Sequence, residues 1–244
     1  MIKKLLAAAC AAVLAASAVA QGSEADIKKK VEAALGEGAK VESVRKAGML
    51  GLYEVVVGGE ILYTDDKANH FVLGHIIDPR TRKDLTQERL DKMSAIKFSD
   101  LPLDLAVKQV KGNGGNGKRT IATFEDPNCT YCKKLAKELQ GVTDVTVYTF
   151  LYPILSQDSH DKSKAIWCAP DRAKAWNDYM VNGTAPAAAP AKCDTTGLDK
   201  TLGLAQKLRI RGTPAIFLGD GTRLPGFLPA AQLEQAMAQA AAKP

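Results

Sequence analysis

Residues 124–135 read Phe124-Glu125-Asp126-Pro127-Asn128-Cys129-Thr130-Tyr131-Cys132-Lys133-Lys134-Leu135. An apolar, strand-like run over 119–125 ends here, and a helical pattern begins with Leu135, Ala136 and Leu139 on one side. The two cysteines therefore fall on the first turn of a helix. Cys129 faces the unpaired N–H groups and the positive end of the helix dipole, which favour thiolate over thiol. Cys132, one turn deeper on the same side, can attack a mixed disulfide at Cys129 while staying shielded from substrate. Lys133 and Lys134 add positive charge. The plainer readings are a stabilising disulfide or half a zinc site. Zinc would have to recruit Cys168 and Cys193, which are not a second C-x-x-C, in a chain that carries an export signal. The spacing, the helix start and the compartment together favour redox chemistry at Cys129 and Cys132.

Residues 1–20 supply that compartment. Lys3 and Lys4 precede a short apolar run over 5–16, and Ala18-Val19-Ala20 forms a small-x-small cleavage site. The run is too short to span a bilayer. Its removal takes Cys10 with it and leaves 224 of 244 residues with four cysteines, an even number suited to an oxidising compartment. The remaining 31 Lys+Arg against 27 Asp+Glu give a net +4 that is scattered among acids, which argues for a solvated surface and against nucleic-acid binding. The expected location is the bacterial periplasm.

Three regions follow. Residues 21–82 read as a helix over 23–36, capped by Ser23, then strands over 40–46, 52–57, 60–64 and 71–77. An α+β unit of this size buries a small core, and pairing with a second copy through a strand edge would relieve that, so a homodimer is expected. Residues 83–100 hold a mostly polar helix over about 86–97, suited to a connector. Residues 101–244 begin with strands over 103–110 and 119–125, whose Gly/Asn-rich link at 112–117 predicts a hairpin. A buried strand over 145–151, one helix over 160–182, an Ala/Pro-rich loop over 183–193 and a helix over 198–208 come next. Strands over 215–218 and 222–224 and a closing helix over 230–242 complete the chain.

Two further pairs matter. Thr213-Pro214 immediately precedes the apolar strand Ala215-Ile216-Phe217-Leu218. A trans proline at a strand start is the ordinary reading, but beside a C-x-x-C helix a cis peptide is expected, leaving Thr213 backbone to pair with substrate. Cys168 and Cys193 enclose 25 residues, and a bridge across that loop stabilises by about 3.5 kcal/mol in the chain-entropy model. It reads as structural; a second shuttling pair would call for closer spacing. His70, His75 and His160 have no ligand spacing, so no metal is expected, and Trp167 and Trp176 read as core.

Leu62-Tyr63-Thr64-Asp65-Asp66, Cys129-Thr130-Tyr131-Cys132-Lys133-Lys134-Leu135, Lys164-Ala165-Ile166-Trp167-Cys168-Ala169, Gly212-Thr213-Pro214-Ala215 and Leu224-Pro225-Gly226-Phe227 occur in this order. In these blocks, across nearly the whole chain, the sequence resembles the DsbC/DsbG family of periplasmic disulfide isomerases. The resemblance implies an N-terminal cystatin-like dimerisation domain, a linker helix and a C-terminal thioredoxin fold with a helical insertion. It implies that Cys129 and Cys132 are the redox pair, Thr213 and Pro214 a substrate-binding cis-proline loop, and Cys168–Cys193 a structural bridge. It also implies a cleft for misfolded disulfide-containing exported proteins, a DsbD-like membrane reductant and no cofactor. The alternative within the family is a DsbG-like thiol reductase or holdase. One departure bears on redox poise: Thr130-Tyr131 stands where DsbC proteins commonly carry Gly-Tyr.

Overall fold

Strand β8 (Thr120–Glu125) decides the architecture of the larger, C-terminal unit because both its faces are buried. Ala122 and Phe124 point to one side of the sheet, Ile121, Thr123 and Glu125 to the other, as the two-residue period of a strand requires. The computed structural model describes residues 23–242, so the expected signal sequence over 1–20, Cys10 included, lies outside the described residues. Two compact units divide between Gly74 and His75.

In the first unit, helix α1 (Glu24–Leu35) is capped by Ser23, whose hydroxyl accepts from the Asp26 N–H at 3.1 Å. Strands β1 (Val41–Lys46), β2 (Tyr53–Val57), β3 (Glu60–Thr64) and β4 (Phe71–Leu73) form an antiparallel meander in that order. Ile27 and Val31 of α1 pack on Val41, Tyr53, Val55 and Leu62. The strand expected over 71–77 stops at Leu73, because Gly74 takes a φ of 145° and breaks the pairing.

The second unit opens with a short ladder, β5 (Ile77–Asp78) against β6 (Lys83–Asp84). Asp84 then caps α2 (Leu85–Ser94), accepting from the Gln87 N–H at 2.8 Å. Residues 103–105 form a single tight turn, so the strand expected from 103 starts later, as β7 (Val107–Lys111). The hairpin expected between β7 and β8 does not form. Strand β9 (Val145–Leu151) lies between them, antiparallel to β7 and parallel to β8. The glycines at 112, 114, 115 and 117 do take positive φ, but such residues report only that the chain turns. The apolar run of β9 is what claims the central place, and a parallel neighbour to β8 requires the crossover that α3 (Thr130–Glu138) supplies.

Strand β10 (Ala215–Leu218) pairs on the other side of β8, with β11 (Arg223–Leu224) at that edge, giving the order β11-β10-β8-β9-β7. One face carries Phe124, stacked on Phe150 at 4.7 Å and edge-on to Phe217 at 6.0 Å, under α6 (Thr196–Lys207). The other face packs on Leu135 and Leu139 and on Leu233 and Met237 of α7 (Ala230–Ala241).

The single helix expected over 160–182 is two. Helix α4 (Gln157–Trp167) ends at Cys168, and α5 (Arg172–Asn182) restarts after Asp171, its N-cap. Pro170 has no N–H to donate and disfavours helical backbone at Ala169, so the helical periodicity runs through a real break. Cys168 and Cys193 form a disulfide across 25 residues, tying the loop between α5 and α6 back to the end of α4 around α5. Beside it the Trp167 indole donates to the Asp194 carbonyl at 2.9 Å. A Cβ on Gly197 would meet the Trp167 ring at 2.3 Å, so only glycine admits this approach.

Candidate functional site

The C-terminal end of β8 feeds directly into the turn before α3. Asp126, fully buried, holds that turn. One carboxylate oxygen accepts from the Asn128 N–H and the Ser159 hydroxyl, both at 2.8 Å; the other accepts from the N–H groups of Ile154 and Leu155 at 2.8 and 3.0 Å. The segment entering α4 is thereby tied to the segment entering α3. Asp126→Ala is expected to lower stability by about 4 kcal/mol, since four donors lose one acceptor. The urea midpoint of the reduced protein measures this, and a loss below about 1 kcal/mol would contradict it. Asn128 extends the tie: its carbonyl accepts from Tyr179 Oη and Lys162 Nζ, each at 3.1 Å.

Cys129 is the N-cap of α3, and its Sγ accepts from the Cys132 N–H at 3.2 Å. Across the gap, Sγ lies 3.3 Å from the Thr213 carbonyl oxygen, to which the protonated thiol donates. The Thr213-Pro214 peptide is cis. The Thr213 N–H has no hydrogen-bond partner among the described residues. The Cys129 thiol is shifted down to about 6, by the hydrogen bond from Cys132 first, then by the Thr213 side chain and the backbone N–H groups of the first turn. Lys133 and Lys134 contribute otherwise: their ammonium groups sit over the Tyr179 and Tyr131 rings, 4.9 and 5.0 Å from the centroids.

Cys132 is fully buried. Its thiol is pushed far up, by burial first, then by donation to Cys129 and by the nearby charges of Glu125 and Cys129. Both cysteines are free thiols here. Glu125 is 1% exposed, on the α3 side of β8. Thr123 donates to its Oε1 at 2.7 Å, while Oε2 is buried without a hydrogen-bond partner among the described residues. Burial pushes this carboxyl up to about 8, and the Cys129 charge adds to the rise. The sequence draws attention to Glu125 and Asp126 through their position before the pair. It does not show that Asp126 is saturated with donors and Glu125 half-orphaned, since both are acids at successive positions.

Next to Cys129 runs a groove of about 500 Å³. Tyr131, 56% exposed, forms one wall with Phe227, their rings 6.0 Å apart. Thr213, Pro214, Arg211 and Arg223 line the rest. Arg223 escapes sequence reasoning, and the block that includes Phe227 is not placed beside the cysteines by it, because both come from the segment after β10, about 100 residues beyond the cysteines. Among the described residues no group of three His, Cys, Asp or Glu side chains could hold a metal ion.

Comparison with known proteins bears on this geometry. A profile described as a thioredoxin-like domain matches residues 103–241, and one described as the N-terminal domain of disulfide bond isomerase proteins matches residues 18–87. The probable thiol:disulfide interchange protein DsbC of Bordetella pertussis is 50% identical over 218 residues, covering 89% of this chain and 76% of that one. The thiol:disulfide interchange protein DsbC of Escherichia coli K12 is 29% identical over 202 residues, 81% of each chain. The crystal structure of a disulfide interchange protein from Neisseria gonorrhoeae matches with a TM-score of 0.54 at 39% identity, over 59% of this chain and 100% of that one. A thioredoxin-like second domain that brings a free C-x-x-C pair against a cis-proline turn, behind a disulfide-isomerase N-terminal domain, places this chain in the DsbC family of thiol:disulfide interchange proteins.

Proposed function

We propose that the protein reshuffles incorrect disulfides in exported proteins through a mixed disulfide at Cys129. The observation that carries this is the asymmetry of the pair: Cys129, shifted down to about 6 and 6% exposed, lies against Thr213, which lines an open groove, while Cys132 is fully buried and held protonated. The Cys129 thiolate attacks one sulfur of a substrate disulfide. A Cys129–substrate S–S bond forms, the substrate bond breaks, and the second substrate sulfur leaves as a thiolate that takes a proton from water. If another substrate thiolate then attacks the mixed disulfide, Cys129 is released reduced and the substrate has changed its pairing with no net redox change. If Cys132 attacks instead, the substrate leaves reduced by two electrons and the protein is oxidised.

The second route needs the Cys132 proton removed. Glu125, in the ionised fraction that grows as pH rises toward 8, is the group suited to take it, because Oε2 is uncommitted and the two groups interact electrostatically in a water-poor site. Return to the dithiol needs an external two-electron donor, which the family resemblance assigns to a DsbD-like membrane reductant. Thr213 supports substrate binding through its unpartnered N–H, which can pair with an extended peptide beside Cys129. The Cys168–Cys193 bridge serves structure, constraining the helical insertion.

The working unit is a homodimer in the periplasm. Supporting this, β4 is an edge strand of the N-terminal meander and presents Val72 and the 80% exposed Leu73 beside it. The test is regain of activity from a scrambled, multiply disulfide-bonded enzyme. The reduced protein is expected to restore it and Cys129→Ala to give only the uncatalysed rate; equal rates from the two would sink the mechanism.

A further inference from the structure

Arg223 sits in the wall of the groove next to Cys129, on the edge strand β11. Its guanidinium is partly buried, 5.6 Å from the Phe217 ring centroid, and has no hydrogen bond or ion pair among the described residues. Burial alone shifts its pKa downward, with no acid nearby to offset it. A desolvated cation without a counter-charge is unfavourable in a resting protein. Guanidinium groups in such places are well matched to carboxylates, which they bind through two parallel N–H donors. No acidic side chain lines the groove, and Arg211 adds a second cation to it. The exposed Tyr131 and its neighbour Phe227, their rings tilted 44° to each other, give the same groove an aromatic wall. The groove thus combines an aromatic wall, an unpartnered backbone N–H at Thr213 and an unpaired cation.

We infer that Arg223 makes this groove selective for extended polypeptide segments that carry an aspartate or glutamate close to the cysteine under attack. The inference rests on the assignment of Cys129 as nucleophile. An acidic side chain would pair with Arg223 while the peptide backbone meets Thr213. The pairing raises the local concentration of the substrate disulfide and leaves the sulfur chemistry unchanged. Acid-rich unfolded segments would be engaged faster than basic ones at the same thiol–disulfide potential.

The test uses the Cys132→Ser protein, which holds the mixed disulfide, and three otherwise identical disulfide peptides with Glu, Gln or Lys flanking the cysteine. At low ionic strength the Glu peptide is expected to form the mixed disulfide roughly fivefold faster than the Gln peptide, the size of a partly exposed ion pair, with the Lys peptide slowest. The Glu/Gln ratio is expected to shrink as salt is added. It should vanish in Arg223→Met and in Arg223→Gln, two variants that fill the site differently, and persist in part in Arg223→Lys. Equal rates for the three peptides would overturn the inference, as would a ratio that survives in Arg223→Met but is lost in Arg211→Met. Failure of every peptide to form a mixed disulfide would instead overturn the Cys129 assignment, and this inference with it.

Discussion

Iodoacetamide is expected to alkylate Cys129 and spare Cys132 in the reduced protein, with the Cys129 rate rising through a midpoint near pH 6. The reason is the exchange of hydrogen bonds within one helical turn. The Cys132 thiol and N–H both point at Cys129 Sγ, so the same contacts that favour a charge on Cys129 disfavour one on Cys132. At pH 7 a thiol titrating near 6 is about nine-tenths thiolate, against roughly one-hundredth for one at its ordinary 9.0. Lower basicity weakens the thiolate as a nucleophile by about 15- to 30-fold over that span, so the net gain in attack is several-fold. The larger effect is on departure. A low-pKa sulfur is a good leaving group, so substrate thiols can displace Cys129 readily, which is what reshuffling demands. A midpoint above pH 8, or comparable labelling of Cys132, would contradict this account. Cys129→Ser, lacking the thiolate, is expected to fall to background exchange at every pH.

The second large effect is on stability against pH, through Glu125→Gln. Glu125 titrates near 8 in the fold against an ordinary 4.5, so between these values the folded protein keeps a proton that the unfolded chain has lost. Its contribution is intact below pH 4.5 and is lost as pH rises toward 8, at about 1.4 kcal/mol per unit and on the order of 4–5 kcal/mol in all. Cys129 acts oppositely. It titrates near 6 in the fold against 9.0, so the unfolded chain holds the extra proton and stability rises with pH across that interval. The raised pKa of Cys132 matters only above pH 9.0. The reduced parent should therefore lose stability from pH 4.5 to 6, stay nearly level from 6 to 8, gain from 8 to 9, and lose again above 9 as the Cys132 thiol of the unfolded chain ionises. Glu125→Gln should remove the early loss and expose the rise, whereas Cys129→Ala should let the fall continue to pH 8. Urea midpoints followed by the fluorescence of Trp167 and Trp176, both buried in the second unit, measure each curve. Curves of the same shape for parent and Glu125→Gln would rule out the proposed titration. In exchange assays the same variant should leave Cys129 attack intact and prolong the mixed disulfide, because Cys132 loses its proton acceptor.

The features legible in the sequence were those carried by local chemistry. The helix start at Cys129, the capping serine at Ser23, the meander of the first unit and the apolar strands β8, β9 and β10 follow from periodicity and from residues that stop or start elements. The C-x-x-C spacing fixes by itself that one sulfur caps a helix and the other lies one turn inside it, because that relation spans three residues. Tertiary structure decided what depends on residues far apart in the chain. It set β9 between β7 and β8, since a Gly/Asn link specifies a turn but the burial of both faces of β9 specifies a central strand. It broke the helix at Pro170, where local rules were available but the surrounding periodicity masked them. It set the Thr213 carbonyl 3.3 Å from Cys129 across 84 residues and left Glu125 Oε2 without a partner beneath the pair. It also lined the groove with Arg223. The sequence alone determined that this protein handles disulfides. How strongly each sulfur holds its proton, and which peptides reach it, depends on burial and long-range contact, which are properties of the assembled fold.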